Sequence, residues 1–158
     1  MLLRKEPKAE DLISIRKLLE ETEMFYAHEV DVAIELVQDR LDREQHSEYS
    51  FIIAEQDSQV LGYTCYGEIP CTEGSYDLFW VAVSMHSQGK GIGGKLLVET
   101  EKVISSLEGR KVYIETSNRE VYLPTRGFYL KHGYEQEAIL KDFYKVGDDK
   151  VVYVKTLA

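Results

Sequence analysis

Residues 80–97, WVAVSMHSQGKGIGGKLL, carry the clearest structural pattern of the chain. They begin inside residues 75–84, SYDLFWVAVS, which form the most strand-like segment of the chain. A glycine-rich loop follows at residues 88–95, QGKGIGGK. The next apolar residues recur with helical spacing, at Leu96, Leu97, Val103, Ile104 and Leu107. This part of the chain therefore predicts a strand, a tight loop and an amphipathic helix.

A glycine-rich loop at the start of a helix favours a phosphate or pyrophosphate ligand. The first amides of a helix lack partners in the helix, and the helix dipole is positive at that end. Glycines allow the backbone to approach a ligand closely. The alternative is a tight strand-to-helix turn without a ligand, but four glycines within six residues cost backbone entropy.

Two familiar phosphate-binding patterns fit this loop poorly. The pattern GxGxxG matches Gly89, Gly91 and Gly94, but this dinucleotide fingerprint belongs to an early βαβ unit of an alternating chain. The pattern GxxxxGK[ST] matches Gly89, Gly94 and Lys95, but the next residue is Leu96. The hydroxyl that holds Mg²⁺ is therefore missing. A nucleotide enzyme that uses NAD or ATP stays an alternative hypothesis.

A third pattern, Q-x-x-G-x-G, matches Gln88, Gly91 and Gly93, and the flanking elements fit it as well.

Periodicity predicts the elements of the whole chain. Strands are predicted at 2–5, 50–55, 60–69, 75–84, 111–116, 134–144 and 151–156. Helices are predicted after Pro7, at 28–44, after the loop and at 124–132. A turn is predicted at 147–149. The order β-α-α-β-β-β-α-β-α-β-β predicts a mixed α/β (α+β) fold, a mostly antiparallel central sheet flanked by helices. We expect a single domain over residues 1–158.

The composition limits the classes of partner. The chain has 158 residues, with 19 Lys+Arg against 28 Asp+Glu and a formal net charge of −9. Non-specific nucleic-acid binding needs clustered cations, so no nucleic-acid partner is expected. The excess of acid suits a cationic or amine-bearing partner, or it serves solubility alone.

Cysteine content and hydropathy predict a cytoplasmic protein. Cys65 and Cys71 form no CxxC motif and no Cys/His set with zinc spacing, so we expect reduced thiols and no metal site. The N-terminal residues have no signal-peptide pattern. No stretch approaches 18 apolar residues, so no membrane span is expected.

Residues 80–97 and a second segment, TRGFYLKHGY at 125–134, together resemble the GNAT superfamily of acetyl-CoA-dependent N-acetyltransferases. The order of elements over nearly all of the chain agrees with that family. The resemblance implies that an acetyl group passes from acetyl-CoA to a primary amine by direct attack in a ternary complex. A non-catalytic acyl-CoA-binding sensor or complex subunit is the alternative.

The resemblance also implies which residues bind coenzyme A. The pyrophosphate is expected to bind backbone amides of the loop. These amides belong to Gln88, Gly89, Lys90, Gly91, Ile92, Gly93 and Gly94. The strand before the loop is expected to offer backbone groups to the acetyl carbonyl and the pantetheine arm, from Val81, Ala82 and Val83.

Tyr129 matches the tyrosine that lies near the thioester sulfur in many members. Its implied role is general acid for the departing thiolate, since an ordinary tyrosine keeps its proton at neutral pH. The alternative is that Tyr129 only packs beside Phe128.

Asp77 is the candidate general base, because the histone-acetylating branch of the family has a glutamate at this position. A free aspartate is a weak base, so Asp77 needs burial or a water relay for this role. Asp77 alternatively attracts a cationic substrate or has a structural role. Glu68 and Glu115 are competing candidates, and His86 is expected to be a solvated turn residue.

The chain departs from the family pattern at the pantetheine contact. Many members have an asparagine seven residues before the tyrosine, where this chain has Tyr122. Either Tyr122 makes this contact, or a local insertion moves Asn118 into place. Lys131 is a possible contact of the cofactor 3′-phosphate.

The acceptor side is expected between the first two helices and the strand ends that face them. The residues expected there are Met24, Phe25, Tyr26, His28, Tyr63, Tyr66, Tyr76 and Trp80. The aromatic side chains among them suit an amine, or they belong to the core. The amine itself, small or on a peptide, is left open. A homodimer is possible through the final strands.

Overall fold

The computed structural model describes residues 1–157. The strands are Leu2–Arg4 (β1), Ser50–Gln56 (β2), Gln59–Glu68 (β3), Ser75–Val83 (β4), Lys111–Ser117 (β5), Glu135–Lys145 (β6) and Asp148–Thr156 (β7). The helices are Asp11–Glu21 (α1), Ala27–Arg43 (α2), Ile92–Ser106 (α3) and Leu123–Lys131 (α4). The predicted order of elements is confirmed.

The strands form one seven-stranded sheet in the order β1-β2-β3-β4-β5-β7-β6. The β1–β2, β2–β3, β5–β7 and β6–β7 pairs are antiparallel. The β4–β5 pair is parallel and joins Ser75–Asp77 to Lys111–Tyr113. The predicted mixed α/β fold with a mostly antiparallel sheet is therefore confirmed. No helix among residues 1–157 is long and apolar enough to cross a membrane.

The chain divides into two compact units, and the first contains residues 1–67 and 79–103. Apolar residues at helical spacing face its core, and burying each such side chain stabilises the fold by about 1.5–3 kcal/mol. The core side chains from α1 and α2 are Ile15, Leu18, Leu19, Val30, Ala33 and Val37. They pack against the strand residues Phe51, Ile53, Tyr63, Cys65 and Ala82.

Close packing fixes α3 on β3 and β4 within this unit. A Cβ atom at Gly62 of β3 would lie 2.7 Å from the Ala82 carbonyl oxygen and 3.1 Å from Leu96 Cδ1. The buried hydroxyls of Thr64 and Thr100 are hydrogen bonded at 2.7 Å. Because α3 begins directly after the glycine-rich loop, these contacts also fix the position of the loop.

The second unit contains residues 68–78 and 104–157. One face of its sheet is buried, with Tyr76 and Leu78 of β4, Val112 and Ile114 of β5, and Val151 and Tyr153 of β7. The buried Tyr129 of α4 packs on the Tyr153 ring at a centroid distance of 5.9 Å. At the C-terminal end of α4, Lys155 Nζ donates to the His132 carbonyl at 2.9 Å.

The turn between β6 and β7 lies earlier than predicted, and β7 begins at Asp148. Lys145 already pairs with Asp148, so the predicted turn at 147–149 is wrong for its two aspartates. Asp148 is a buried strand residue because the Ser117 hydroxyl of β5 donates to its carboxylate. Asp149 accepts from the Asp142 amide at 2.9 Å. Partners outside the turn thus hold both residues in the strand.

Gly62→Ala tests the packing that positions α3. The new methyl group cannot fit beside a fixed backbone oxygen, and overpacking of this kind costs about 1–3 kcal/mol. We expect the midpoint of thermal unfolding to fall by about 2–10 °C. Gly127→Ala is the matched control, because a Cβ atom there meets nothing within 4 Å in α4. An equal loss of stability in both variants would contradict the close approach.

Candidate functional site

The glycine-rich loop is open at its two left-handed glycines. A short 3₁₀ turn, Met85–Ser87, links β4 to the loop, and Gln88 Nε2 then donates to the Val83 carbonyl at 3.3 Å. Gly89 and Gly91 have φ angles of +78° and +77°, and a Cβ atom at either would meet nothing within 4 Å. The loop backbone is therefore accessible to a ligand along this stretch.

The N-terminal end of α3 presents backbone amides at the end of this loop. Lys95 N donates to the Gly91 carbonyl at 3.1 Å. The amides of Ile92, Gly93 and Gly94 precede this bond, and such amides have no acceptor in the preceding turn of a helix. The first turn carries no acidic residue. The helix dipole and these amides suit an anion such as a pyrophosphate.

The side chains of the loop differ in burial and charge. Ile92 is buried and anchors the first turn of α3 in the core. Lys90 and Lys95 are exposed, and their charges complement an anion. The structure thus brings the predicted loop residues together at one helix end, and the residues present fit a phosphate-bearing cofactor.

The strand residues predicted to touch the cofactor occupy the C-terminal end of β4. Val81 and Val83 are half-buried, whereas Ala82 is buried and belongs to the core of the first unit. The Ser84 amide donates to the Leu61 carbonyl at 2.8 Å, which holds this end of β4 on β3. The Val83 carbonyl already accepts from Gln88, so Val83 supports the loop as well.

Tyr129 lies in an aromatic cluster of the second unit. Its ring is 5.7 Å from Phe128, 6.2 Å from Tyr134 and 5.9 Å from Tyr153. Burial raises the pKa of Tyr129 well above its ordinary value, and the nearby Tyr122 and Tyr153 raise it further. The hydroxyl therefore keeps its proton at neutral and moderately alkaline pH. Tyr129 therefore holds the proton that a general acid needs, although the raised pKa also makes it a weaker acid than a free tyrosine.

Tyr122 and Asn118, the two candidates for the pantetheine contact, differ in their surroundings. Asn118 Nδ2 donates to Asp149 Oδ2 at 3.1 Å, and its Oδ1 accepts from the Asp149 amide at 3.0 Å. Both ends of the Asn118 amide are therefore engaged in the fold. Tyr122 is buried immediately before α4, with the Arg119 guanidinium 5.3 Å from its ring centroid.

Arg126 holds the start of α4 against the end of β5, and sequence reasoning did not find it. Its Nη1 donates to the Ser117 carbonyl at 2.8 Å and to the Arg119 carbonyl at 2.9 Å. Arg126 lies three residues before Tyr129, so this clamp fixes the helix that carries Tyr129. An arginine in a short helix gives no signal in the sequence, because its acceptors are backbone carbonyls.

Asp77 lies beside two charged residues of the second unit. Burial raises the pKa of Asp77, the charge of Glu115 raises it further, and the charge of Lys150 lowers it. Lys150 Nζ forms an ion pair with Glu115 Oε2 at 2.8 Å. A carboxylate with a raised pKa is a better base than a free aspartate.

The other charged candidates have surface positions. Glu68, His86 and Lys131 are all exposed. The charge of Glu68 acts on Tyr76, whose pKa it raises in addition to the effect of burial.

The aromatic residues of the expected acceptor side divide into core and surface. Tyr63, Tyr66 and Tyr76 are buried. Phe25, from the link between α1 and α2, packs edge-on against Trp80 of β4 at 5.2 Å. Tyr26 of the same link stacks on His28, in the first turn of α2, at a ring-centroid distance of 5.7 Å, and both side chains are exposed.

Comparison with known proteins assigns the chain to a family. The family model of the acetyltransferase (GNAT) domain matches residues 47–136, which include β2 to α4 and the loop. The chain therefore belongs to the GNAT acetyltransferase family, whose members are acyltransferases.

Individual relatives agree with this assignment. An uncharacterised N-acetyltransferase of Methanocaldococcus jannaschii is 30% identical over 105 residues, which cover 66% of this chain and 65% of that protein. A GNAT-family protein from Desulfovibrio desulfuricans has a crystal structure with a TM-score of 0.97, 41% identity and 99% coverage of both chains. The PaiA N-acetyltransferase of Thermoplasma acidophilum, solved with coenzyme A, has the same fold, with a TM-score of 0.75, 18% identity and 99% coverage of both chains.

Asp77→Asn tests the electrostatic surroundings of Asp77. The pKa of Asp77 is raised in the folded state, so the ionised carboxylate destabilises the folded protein at pH values above this pKa. The destabilisation vanishes at pH values below the pKa of Asp77 in the unfolded chain, which is near 3.8. We expect Asp77→Asn to stabilise the protein at about pH 8 by less than about 1 kcal/mol, because the site is partly solvated. The gain should shrink towards about pH 4.

Asp57→Asn in the exposed β2–β3 turn removes the same charge and is the matched control. Denaturant unfolding at both pH values measures the difference. A gain that is the same at both pH values, or equal to that of the control, would contradict the assigned surroundings of Asp77.

Proposed function

We propose that this protein is an N-acetyltransferase that moves an acetyl group from acetyl-CoA to a primary amine. The observation that carries the proposal is the open N-terminal end of α3, with the left-handed Gly89 and Gly91 before it. Membership of the GNAT family supports the proposal. The coenzyme A bound to the Thermoplasma acidophilum protein of the same fold supports this choice of donor.

The loop holds the cofactor by its phosphates in this proposal. Backbone amides from Gln88 to Gly94 donate to the pyrophosphate oxygens, and the charges of Lys90 and Lys95 add attraction. When bound, acetyl-CoA supplies a thioester whose carbonyl carbon accepts the amine and whose sulfur leaves as a thiolate. Backbone groups of Val81 and Val83 orient the pantetheine arm and polarise the carbonyl. Tyr122 takes the pantetheine contact, because Asn118 is engaged by Asp149.

Tyr129 is proposed as the general acid. Its hydroxyl transfers a proton to the departing sulfur, so the products are the amide and the free thiol of coenzyme A. The protonated state of Tyr129 before each turnover supports this role, because burial keeps the proton on the hydroxyl. The Arg126 clamp on the start of α4 supports the placement of this hydroxyl.

Asp77 is proposed as the general base. An amine must lose a proton to form an amide, and the Asp77 carboxylate accepts it directly or through a water molecule. Its raised pKa supports this role. The proton then passes to solvent, and the enzyme returns to its starting state once Tyr129 is reprotonated.

The net charge of −9 supports an acceptor that carries a positive charge before it reacts. We propose that the enzyme acts in the cytoplasm, where the thiols of Cys65 and Cys71, both free in the structure, stay reduced.

Gly91→Ala tests the loop as the cofactor site. We expect acetyl-CoA and coenzyme A, but not NAD or ATP, to raise the unfolding temperature of the wild type. A side chain at Gly91 occupies the open approach, so we expect affinity about 10-fold weaker, equivalent to about 1.4 kcal/mol. Gly147→Ala is the matched control, because Gly147 has a φ of +85° and equal space in the β6–β7 turn.

A rise with NAD or ATP and none with acetyl-CoA would contradict the proposal. A protein that binds acetyl-CoA but releases no thiol with any amine would be a sensor and not an enzyme.

Tyr129→Phe tests the general acid. We expect kcat to fall about 10–10³-fold with little change in the KM for acetyl-CoA, because the hydroxyl acts on the leaving group. Thiol release in the presence of an amine that the wild type acetylates measures the rate. Tyr134→Phe removes a hydroxyl from the same aromatic cluster and should keep the wild-type rate. Full turnover by Tyr129→Phe would remove Tyr129 from the mechanism.

A further inference from the structure

One face of the sheet in the second unit gathers charged side chains around Asp77. Asp77 of β4 is paired with Tyr113 of β5, and Glu115 follows two residues later on the same face. Diagonal neighbours of this kind lie within reach of each other across a strand pair. On β7, Lys150 is opposite Ser117, which shares a face with Glu115. Three strands thus contribute one charge each to a small area.

Lys150 is held in this area, although most lysines keep their ammonium groups in water. Its side chain is only 12% exposed, and Nζ pairs with Glu115 Oε2 at 2.8 Å. The Phe143 ring lies over the ammonium at 4.0 Å, a cation–π contact. Asp142, the residue before Phe143, is bonded through its amide to Asp149 at 2.9 Å. The charge of Lys150 is therefore fixed from two sides.

We propose that Glu115 and Lys150 are positioning residues that set the proton affinity of Asp77 in opposite directions. The inference rests on the proposed function, in which Asp77 is the base. The Glu115 carboxylate favours a proton on Asp77, and the Lys150 ammonium disfavours one. The ion pair between them limits both effects.

The charges that face Asp77 agree with this assignment. On β5 they are Lys111 and Glu115, which share one face of the strand with the titratable but neutral Tyr113. On β7 the facing charge is Lys150. From the β3 side, Glu68 acts on Tyr76, not on Asp77. The pKa of Asp77 responds to Glu115 and Lys150 in addition to its burial.

The surroundings of Asp77 make it better suited to act as a base than a free aspartate. Burial and Glu115 make Asp77 a stronger proton acceptor than a free aspartate. Lys150 limits this increase and so favours the ionised form of Asp77. A base must be ionised before it accepts a proton, so Glu115 favours proton uptake and Lys150 favours the ionised state that precedes it.

The test follows the Asp77 carboxyl group by ¹³C NMR in the full chain, with no substrate added. We expect Glu115→Gln to lower the Asp77 titration midpoint by about half a pH unit, since a nearby negative charge is lost. We expect Lys150→Met to raise it by about the same amount. Lys150→Arg keeps the charge and should leave the midpoint near that of the wild type. Glu68→Gln is the control for a carboxylate outside the cluster.

The outcomes separate this inference from the proposed function. The inference is supported if the Asp77 titration midpoint falls in Glu115→Gln and rises in Lys150→Met. If Glu115 and Lys150 had only a structural role, the sign of the charge that is removed would not set the direction of the change. An unchanged midpoint in both variants, or the same direction in both, overturns it and leaves acyl transfer standing. Failure of coenzyme A to bind the loop would overturn acyl transfer without altering this titration.

Discussion

The unpaired amides at the N-terminal end of α3 are the constraint on which the rest of the site depends. The first helical bond runs from Lys95 to Gly91, and Gly89 and Gly91 keep the approach free of side chains. Amides without helical acceptors need water or an anion, and a pyrophosphate satisfies several of them at once. The family assignment rests on a segment that contains this helix start.

The packing beneath α3 maintains this helix end. A side chain at Gly62 would meet the Ala82 carbonyl, so β3 and β4 approach closely only with glycine there. The Thr64–Thr100 hydrogen bond attaches α3 to β3 one turn after Leu96. Gln88 joins the loop to the end of β4 through the Val83 carbonyl. Thus three contacts in the first unit connect the core to the cofactor loop.

Most of the structure that the sequence predicts follows from local patterns. The order of elements and the loop were predictable because alternation, helical spacing and glycine clusters act over a few residues. Contacts that depend on strand register were not predictable. The last strand was predicted from residue 151, but β7 begins at Asp148 and places Lys150 opposite Ser117.

Contacts between β5 and α4 were also not predictable from the sequence. The position seven residues before Tyr129 identifies Tyr122, but only the fold shows that Asp149 engages both ends of the Asn118 side chain. Arg126 binds backbone carbonyls, which carry no sequence signal. Contacts between a side chain and distant backbone therefore had to come from the structure.

A backbone ¹⁵N–¹H NMR titration of the full chain with coenzyme A tests whether the start of α3 binds the pyrophosphate. We expect the amides of Gly89 to Gly94 to shift most, in proportion to the occupied fraction. Pantetheine, which lacks the pyrophosphate, should leave them unmoved. Coenzyme A binding that shifts amides elsewhere and leaves those of Gly89 to Gly94 unchanged would contradict this role of the loop.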